Sequence, residues 1–121
     1  MGLAMAAELN GYPGPLHVLE LAEPLKLTAA QKQQTEKLFN EMLREAKQSG
    51  ELLIEKETEL DRLFRDKRAS TPEVARLTEQ VALAQGKLRA THLQYHLKMM
   101  DVLTPEQVTQ YNQLRGYTAG N

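Results

Sequence analysis

The pattern Leu-Thr-x-x-Gln occurs twice in this 121-residue chain, as Leu27-Thr28-Ala29-Ala30-Gln31 and as Leu103-Thr104-Pro105-Glu106-Gln107, on either side of a long charged middle. Thr followed three positions later by Gln is a capping box. The hydroxyl accepts from the backbone N–H of the third helical residue, and the Gln side chain reaches back to the N–H of the capping residue. Each copy therefore starts a helix. In the second copy Pro105 takes the first helical position, where a missing N–H costs nothing, and Leu103 is placed to staple onto Val108.

The text between the two starts reads as two long helices. From Thr28 to about Arg65, apolar or small residues at Phe39, Met42, Ala46, Ser49, Leu53, Leu60 and Leu63 form a heptad-like stripe. Gly50 is its weak point, costing about 1 kcal/mol relative to Ala, and a bend or fraying is expected near it. Like charges four apart at Glu51–Glu55 and Glu55–Glu59 add a mild penalty. Asp66 to Pro72 breaks the pattern. Ser70-Thr71-Pro72-Glu73 restarts it with a cap residue, a proline in the first turn and an acid near the helix N-terminus. The second helix, about Pro72 to Asp101, carries Val74, Leu77, Val81, Ala84, Leu88, Thr91 and Tyr95 at alternating three- and four-residue steps, the cleanest seam in the chain. A last short helix runs from Pro105 to about Leu114, with Gly116 beyond it as a stop.

Upstream, Leu16, Val18, Leu19, Leu21, Ala22 and Leu25 form a short apolar helix of about two turns that Pro24 should end. Asn10-Gly11-Tyr12-Pro13-Gly14-Pro15 is turn chemistry throughout. Residues 1–15 are thus expected to be a flexible N-terminal arm, residues 16–117 a single helical-hairpin domain and residues 118–121 a tail. The expected fold class is all-α: a long antiparallel hairpin flanked by a short N-terminal and a short C-terminal helix.

Composition narrows the function classes. Hydrophobic content of 41% without any long apolar run allows one small domain and excludes a membrane-spanning helix. With two Phe, four Tyr and no Trp, the core is expected to come from Leu, Ala, Val and Met in thin seams. Fifteen Lys and Arg against sixteen Asp and Glu leave a net charge of −1, which is no footprint for nucleic acid or an anionic membrane surface. The absence of Cys removes disulfides, thiolate nucleophiles and structural zinc clusters. No Ser/His/acid spacing points to a triad and no Gly-rich loop sits between strand and helix, so an enzyme is not expected.

Two rods of roughly 45–55 Å, at 1.5 Å per residue, cannot bury all of their apolar faces against one another. Leu38, Leu52, Ile54 and Phe64 on the first helix lie off the seam, as do Leu83, Leu93, Leu97 and Met100 on the second. A homodimer sharing one core is the expected solution. The basic residues Arg62, Arg65, Lys67 and Arg68 near the tip complement the helix dipole and keep the tip solvated, or meet a partner.

The candidate chemistry lies in His92-Leu93-Gln94-Tyr95-His96-Leu97-Lys98-Met99-Met100. His92 and His96, four apart, share one helix face, and Met99 and Met100 follow a turn later. Imidazole with thioether suits Zn(II), Ni(II), Co(II) or copper. His17, the only other histidine, can add a third ligand from the first short helix, and Glu20 or Glu23 a carboxylate. The candidate metal residues are therefore His92, His96, His17 and Met100, with no cofactor required. The competing reading makes the histidines polar flanks of the seam and the methionines its gap-fillers.

Two copies of the motif around a helical hairpin, over roughly residues 16 to 117, resemble the Spy/CpxP family of small periplasmic proteins, which includes zinc-resistance-associated and nickel/cobalt-sensing relatives. The family motif residues are Leu27, Thr28, Gln31, Leu103, Thr104 and Gln107. The resemblance implies a curved dimer in the periplasm. It also implies that an export signal has been removed from a mature or trimmed chain, since Met1 to Leu9 carry no cation. Three roles follow from it: capture of misfolded chains, metal sensing, or partnership with a membrane-bound sensor. In the nickel/cobalt-sensing relatives a His-x-x-x-Met pair precedes the second motif. Counted back from Leu103, that pair falls on Tyr95 and Met99, so His96–Met100 is displaced by one residue, about 100° around the helix. The near-zero net charge likewise departs from the basic character of the family's strongest chaperones.

Overall fold

Three helices begin where a hydroxyl side chain caps them. The computed structural model describes residues 3–117, so Met1, Gly2 and the expected tail at 118–121 lie outside the described residues. In chain order the helices are α1 (Met5–Glu8), α2 (Pro15–Glu20), α3 (Ala29–Arg65), α4 (Thr71–Met99) and α5 (Pro105–Arg115). Thr28 and Thr104 form complete capping boxes with Gln31 and Gln107, and Ser70 accepts from the Glu73 N–H. At 1.5 Å per residue the 37 residues of α3 span about 55 Å. The helix runs through Gly50 without interruption, and α3 and α4 zip into the expected hairpin.

Both predicted seams are covered. Met42, Ser49, Leu63, Leu77, Ala84, Thr91 and Tyr95 are buried, and the other seam positions are half-buried. The thickest packing sits at the open base of the hairpin, where Val18, Leu25, Leu38, Met42, Tyr95, Met99, Leu103 and Tyr111 make one cluster. Two expectations need correction here. Tyr95 and Tyr111 are among the largest fully buried side chains, so the core is not purely aliphatic. Leu38, placed off the seam by its periodicity, is buried in this cluster, with Val18 and Leu25 from the segment before α3 beside it. Leu52, Ile54, Phe64, Leu83 and Leu97 do stay exposed along the shaft. No helix among the described residues is long and apolar enough to cross a membrane.

The helix ends also differ from the reading of the sequence. α2 stops at Glu20, four residues before Pro24, and the chain turns on through Leu25. After α3, the Arg68 N–H reaches the Leu63 carbonyl (2.9 Å) and the Lys67 N–H that of Phe64 (3.2 Å), the paired bonds of a Schellman stop. Lys67 adopts the left-handed region there at φ 58°, where glycine is the favoured residue. Lys26 does the same at φ 54° ahead of the first motif.

The largest departure is the N-terminal arm. Residues 1–15 were expected to be loose, yet Glu8 and Pro13 to Pro15 are buried, and α1 packs on α4. Its anchor is a single carboxylate, described below.

The backbone dictates opposite exchanges at two positions. Gly50→Ala enters an open helical site where a Cβ meets nothing within 4 Å, and Lys67→Gly relieves a left-handed residue. Each variant should raise the unfolding free energy by about 1 kcal/mol in urea titrations. A loss of stability in either would contradict this account of the hairpin.

Candidate functional site

The two capping boxes meet at the base of the hairpin. Gln31 Nε2 donates to Gln107 Oε1 (2.7 Å) and Gln107 Nε2 donates back to Gln31 Oε1 (3.0 Å). Each amide also crosses to the other strand of the base, Gln31 to the Val102 carbonyl (3.0 Å) and Gln107 to that of Leu25 (3.2 Å). Each oxygen still accepts its own capping N–H, from Thr28 and Thr104 at 2.9 Å. The motif therefore caps two helices and joins them with the same pair of side chains.

Beside this clasp the N-terminal arm is pinned by Glu8, which is 5% exposed. Tyr111 Oη donates to both carboxylate oxygens (2.8 and 3.0 Å), the Gly14 N–H to Oε1 (3.1 Å) and His96 Nε2 to Oε1 (3.2 Å). Burial alone pushes the Glu8 carboxyl up. The bonds from His96, Tyr111 and Tyr117 outweigh it and hold the group at about 2 instead of 4.5. Burial, with Glu8 beside it, pushes the Tyr111 phenol up, so that it remains a donor. His96 Nδ1 faces the His92 carbonyl at 2.9 Å. Both ring nitrogens of His96 thus have hydrogen-bond partners within the fold. Gly14 approaches so closely that a Cβ there would lie 2.6 Å from His96 Nε2.

Next to the pinned carboxylate is a cleft of about 210 Å³ where α1, α2, α3 and α4 converge. Its lining includes Met5, Glu8, His17, Met42, His92 and His96. His17 comes from α2, with Nδ1 held by Glu20 at 2.8 Å, which leaves Nε2 as the open nitrogen. His92 is half-buried, and no hydrogen bond to its ring is found among the described residues. Burial, and secondarily the charge of His96, push its imidazole down, which favours the neutral form that ligates metals. The cleft is thus lined by histidine and methionine side chains together with apolar residues. Among the described residues no three His, Asp or Glu side chains are already grouped closely enough to hold an ion.

A family model described as LTXXQ motif family protein matches residues 16–115. The chain belongs to the LTXXQ motif family. Membership accords with the Spy/CpxP resemblance, and it supports a periplasmic binding protein in general terms. No curated protein and no solved structure matches this LTXXQ chain. The matched stretch begins after Glu8 and Gly14, so the pinned arm lies outside it.

The candidate metal residues separate in the structure. His17, His92 and His96 line one cleft, as antiparallel closure allows. Met100 does not line it, because it caps the end of α4, while Met99 is fully buried in the core. Glu20 orients His17 and does not itself line the cleft. Met5, Met42 and Glu8 were missed. One signal was available for Glu8: it is the only acidic or basic residue before His17, in a stretch otherwise suited to a loose arm.

The depressed Glu8 group links stability to pH with a definite sign. A carboxyl at about 2 when folded and near 4.5 when unfolded stabilises the fold fully above pH 4.5, and that contribution is lost as pH falls towards 2. Glu8→Gln should therefore lower stability by on the order of 3 kcal/mol at pH 7, with the difference shrinking between pH 4.5 and 2. Urea unfolding of both proteins across that range checks it, and a pH-independent difference would contradict the buried carboxylate.

Proposed function

We propose that this LTXXQ protein is a metal-responsive binding protein of the periplasm, acting without a reaction of its own, and that the cleft at the hairpin base holds the ion between His17 and His92. One observation carries the reading: all three histidines of the chain line a single cleft. The arrangement has the features of a ligating pair. A carboxylate on the far nitrogen of His17 sets the ring orientation and its tautomer, as at established metal sites. His92 is held towards its neutral form with no bonded partner found among the described residues. Imidazoles of this kind suit Zn(II), Ni(II), Co(II) and copper.

The response follows from where the ligands stand. His17 belongs to α2 and His92 to α4, so an ion shared between them staples the N-terminal helices to the hairpin. The stapled form is favoured in proportion to ion occupancy. Calorimetry with Zn, Ni, Co and Cu, on the wild type and on His17→Ala and His92→Ala, tests this directly. The wild type should bind at least one ion more tightly than about 100 μM, with each substitution costing about tenfold or more. Binding unchanged in both variants, or no binding of any ion, would sink the proposal.

A second reading rests on the shaft. Leu52, Ile54, Phe64, Leu83 and Leu97 expose apolar surface along the hairpin, which a homodimer would bury or a misfolded chain would occupy. Keeping an unrelated denatured protein soluble at equal molar ratio would favour capture of clients. Failure to do so, with a dimer in sedimentation, would assign that surface to self-association.

A further inference from the structure

We infer that the ion suited to this cleft is soft and monovalent, Cu(I) or Ag(I), and that Met5 and Met42 complete the site with His17 and His92. The inference rests on the metal-binding reading above and names its ligand class.

Open electron pairs decide which side chains can ligate. Glu8 and His96 line the cleft but are engaged with each other. Both His96 ring nitrogens are engaged, with the His92 carbonyl (2.9 Å) and the Glu8 carboxylate (3.2 Å), and the residue is 6% exposed. The Glu8 carboxylate accepts from Tyr111, Gly14 and His96. Withdrawing either group would leave a buried polar partner unsatisfied, which is costly. The donor-bearing residues that remain around the cleft are His17, with its Nε2 open, His92, Met5 and Met42. None of the four is an anionic ligand, and the chain has no cysteine to add a thiolate.

That donor set discriminates among ions. The desolvation cost of an ion rises with the square of its charge, so a divalent ion between apolar walls needs an anionic ligand more than a monovalent one does. Zinc sites draw on thiolate, imidazole and carboxylate, whereas thioether sulfur is a soft ligand that selects Cu(I). Ag(I) shares this softness and charge. Met5 is 41% exposed on the four-residue α1, and Met42 lies in the core cluster on α3. Together with His17 on α2 and His92 on α4, the four donors come from four different helices. Only His92 of the four belongs to the His92–Met100 stretch.

The test is competition of the full chain against a colorimetric Cu(I) chelator under anaerobic conditions, with parallel calorimetry using Ag(I), Zn(II), Ni(II) and Co(II). Cu(I) or Ag(I) should bind at one equivalent, about a hundredfold or more tighter than Zn(II). Met5→Leu, on an exposed helix, and Met42→Leu, nearly volume-conserving, should each weaken Cu(I) by about tenfold or more, while Met100→Leu should not. X-ray absorption at the copper edge should show sulfur beside nitrogen, with sulfur reduced in the Met5 and Met42 variants. Tighter binding of Zn, Ni or Co, or indifference of Cu(I) to both methionines, would overturn the inference and leave the metal reading standing. A loss in Met100→Leu would also overturn it, by moving the sulfur ligand to the end of α4. Failure of every ion to bind would remove both.

Discussion

One pair of side-chain amides holds the base of this molecule together. Gln31 and Gln107 exchange hydrogen bonds with each other, cap their own helices and reach carbonyls across the base, so each amide satisfies its oxygen and both of its hydrogens. Inside a partly buried site such a network is cooperative, and leaving any member unpaired costs the desolvation of that group. A slip of one residue in either capping box would break the whole set. The start of α3 and the end of α4 are therefore held in one register, and the elements that carry His17 and His92 are positioned by it. Apolar packing of Leu25, Leu103 and Val18 around the clasp supplies bulk, while the amides supply the register.

Beside the clasp, the buried Glu8 carboxylate does a different job. An isolated buried charge is expensive, and this one persists because three kinds of donor converge on it. It brings α1 down onto α4 and closes one wall of the cleft. It also occupies His96, which removes one of the two histidines of the α4 pair from coordination chemistry and leaves His17 and His92 as the open nitrogens. The same contact demands glycine at position 14, because the backbone lies against the His96 ring.

Much of the fold was legible because it is local. The seams on α3 and α4 follow from steps of three and four, and the helix starts at Thr28, Ser70 and Thr104 follow from hydroxyl caps. What escaped is what depends on distant partners. α1 is a single turn without periodicity, and its order comes from residues 88 and 103 positions further along the chain. Leu38 points away from the hairpin seam and is buried all the same, in the core that the segment before α3 helps to build. The stops at Lys26 and Lys67 carry no glycine to announce them. Of the site, the convergence of the three histidines could be read from antiparallel closure. That Met5 and Met42, and not Met100, line the cleft could not be, since one lies in an arm with no periodicity and the other reads as a seam residue.

In the proposed site His17 and His92 hold the ion, while His96 stays with Glu8. Heteronuclear NMR of the imidazole nitrogens, followed through a metal titration, separates these roles atom by atom. The expected result is a shift at His17 Nε2 and on the His92 ring, with both His96 nitrogens unmoved. A metal-induced shift at a His96 nitrogen, with His17 unchanged, would contradict it.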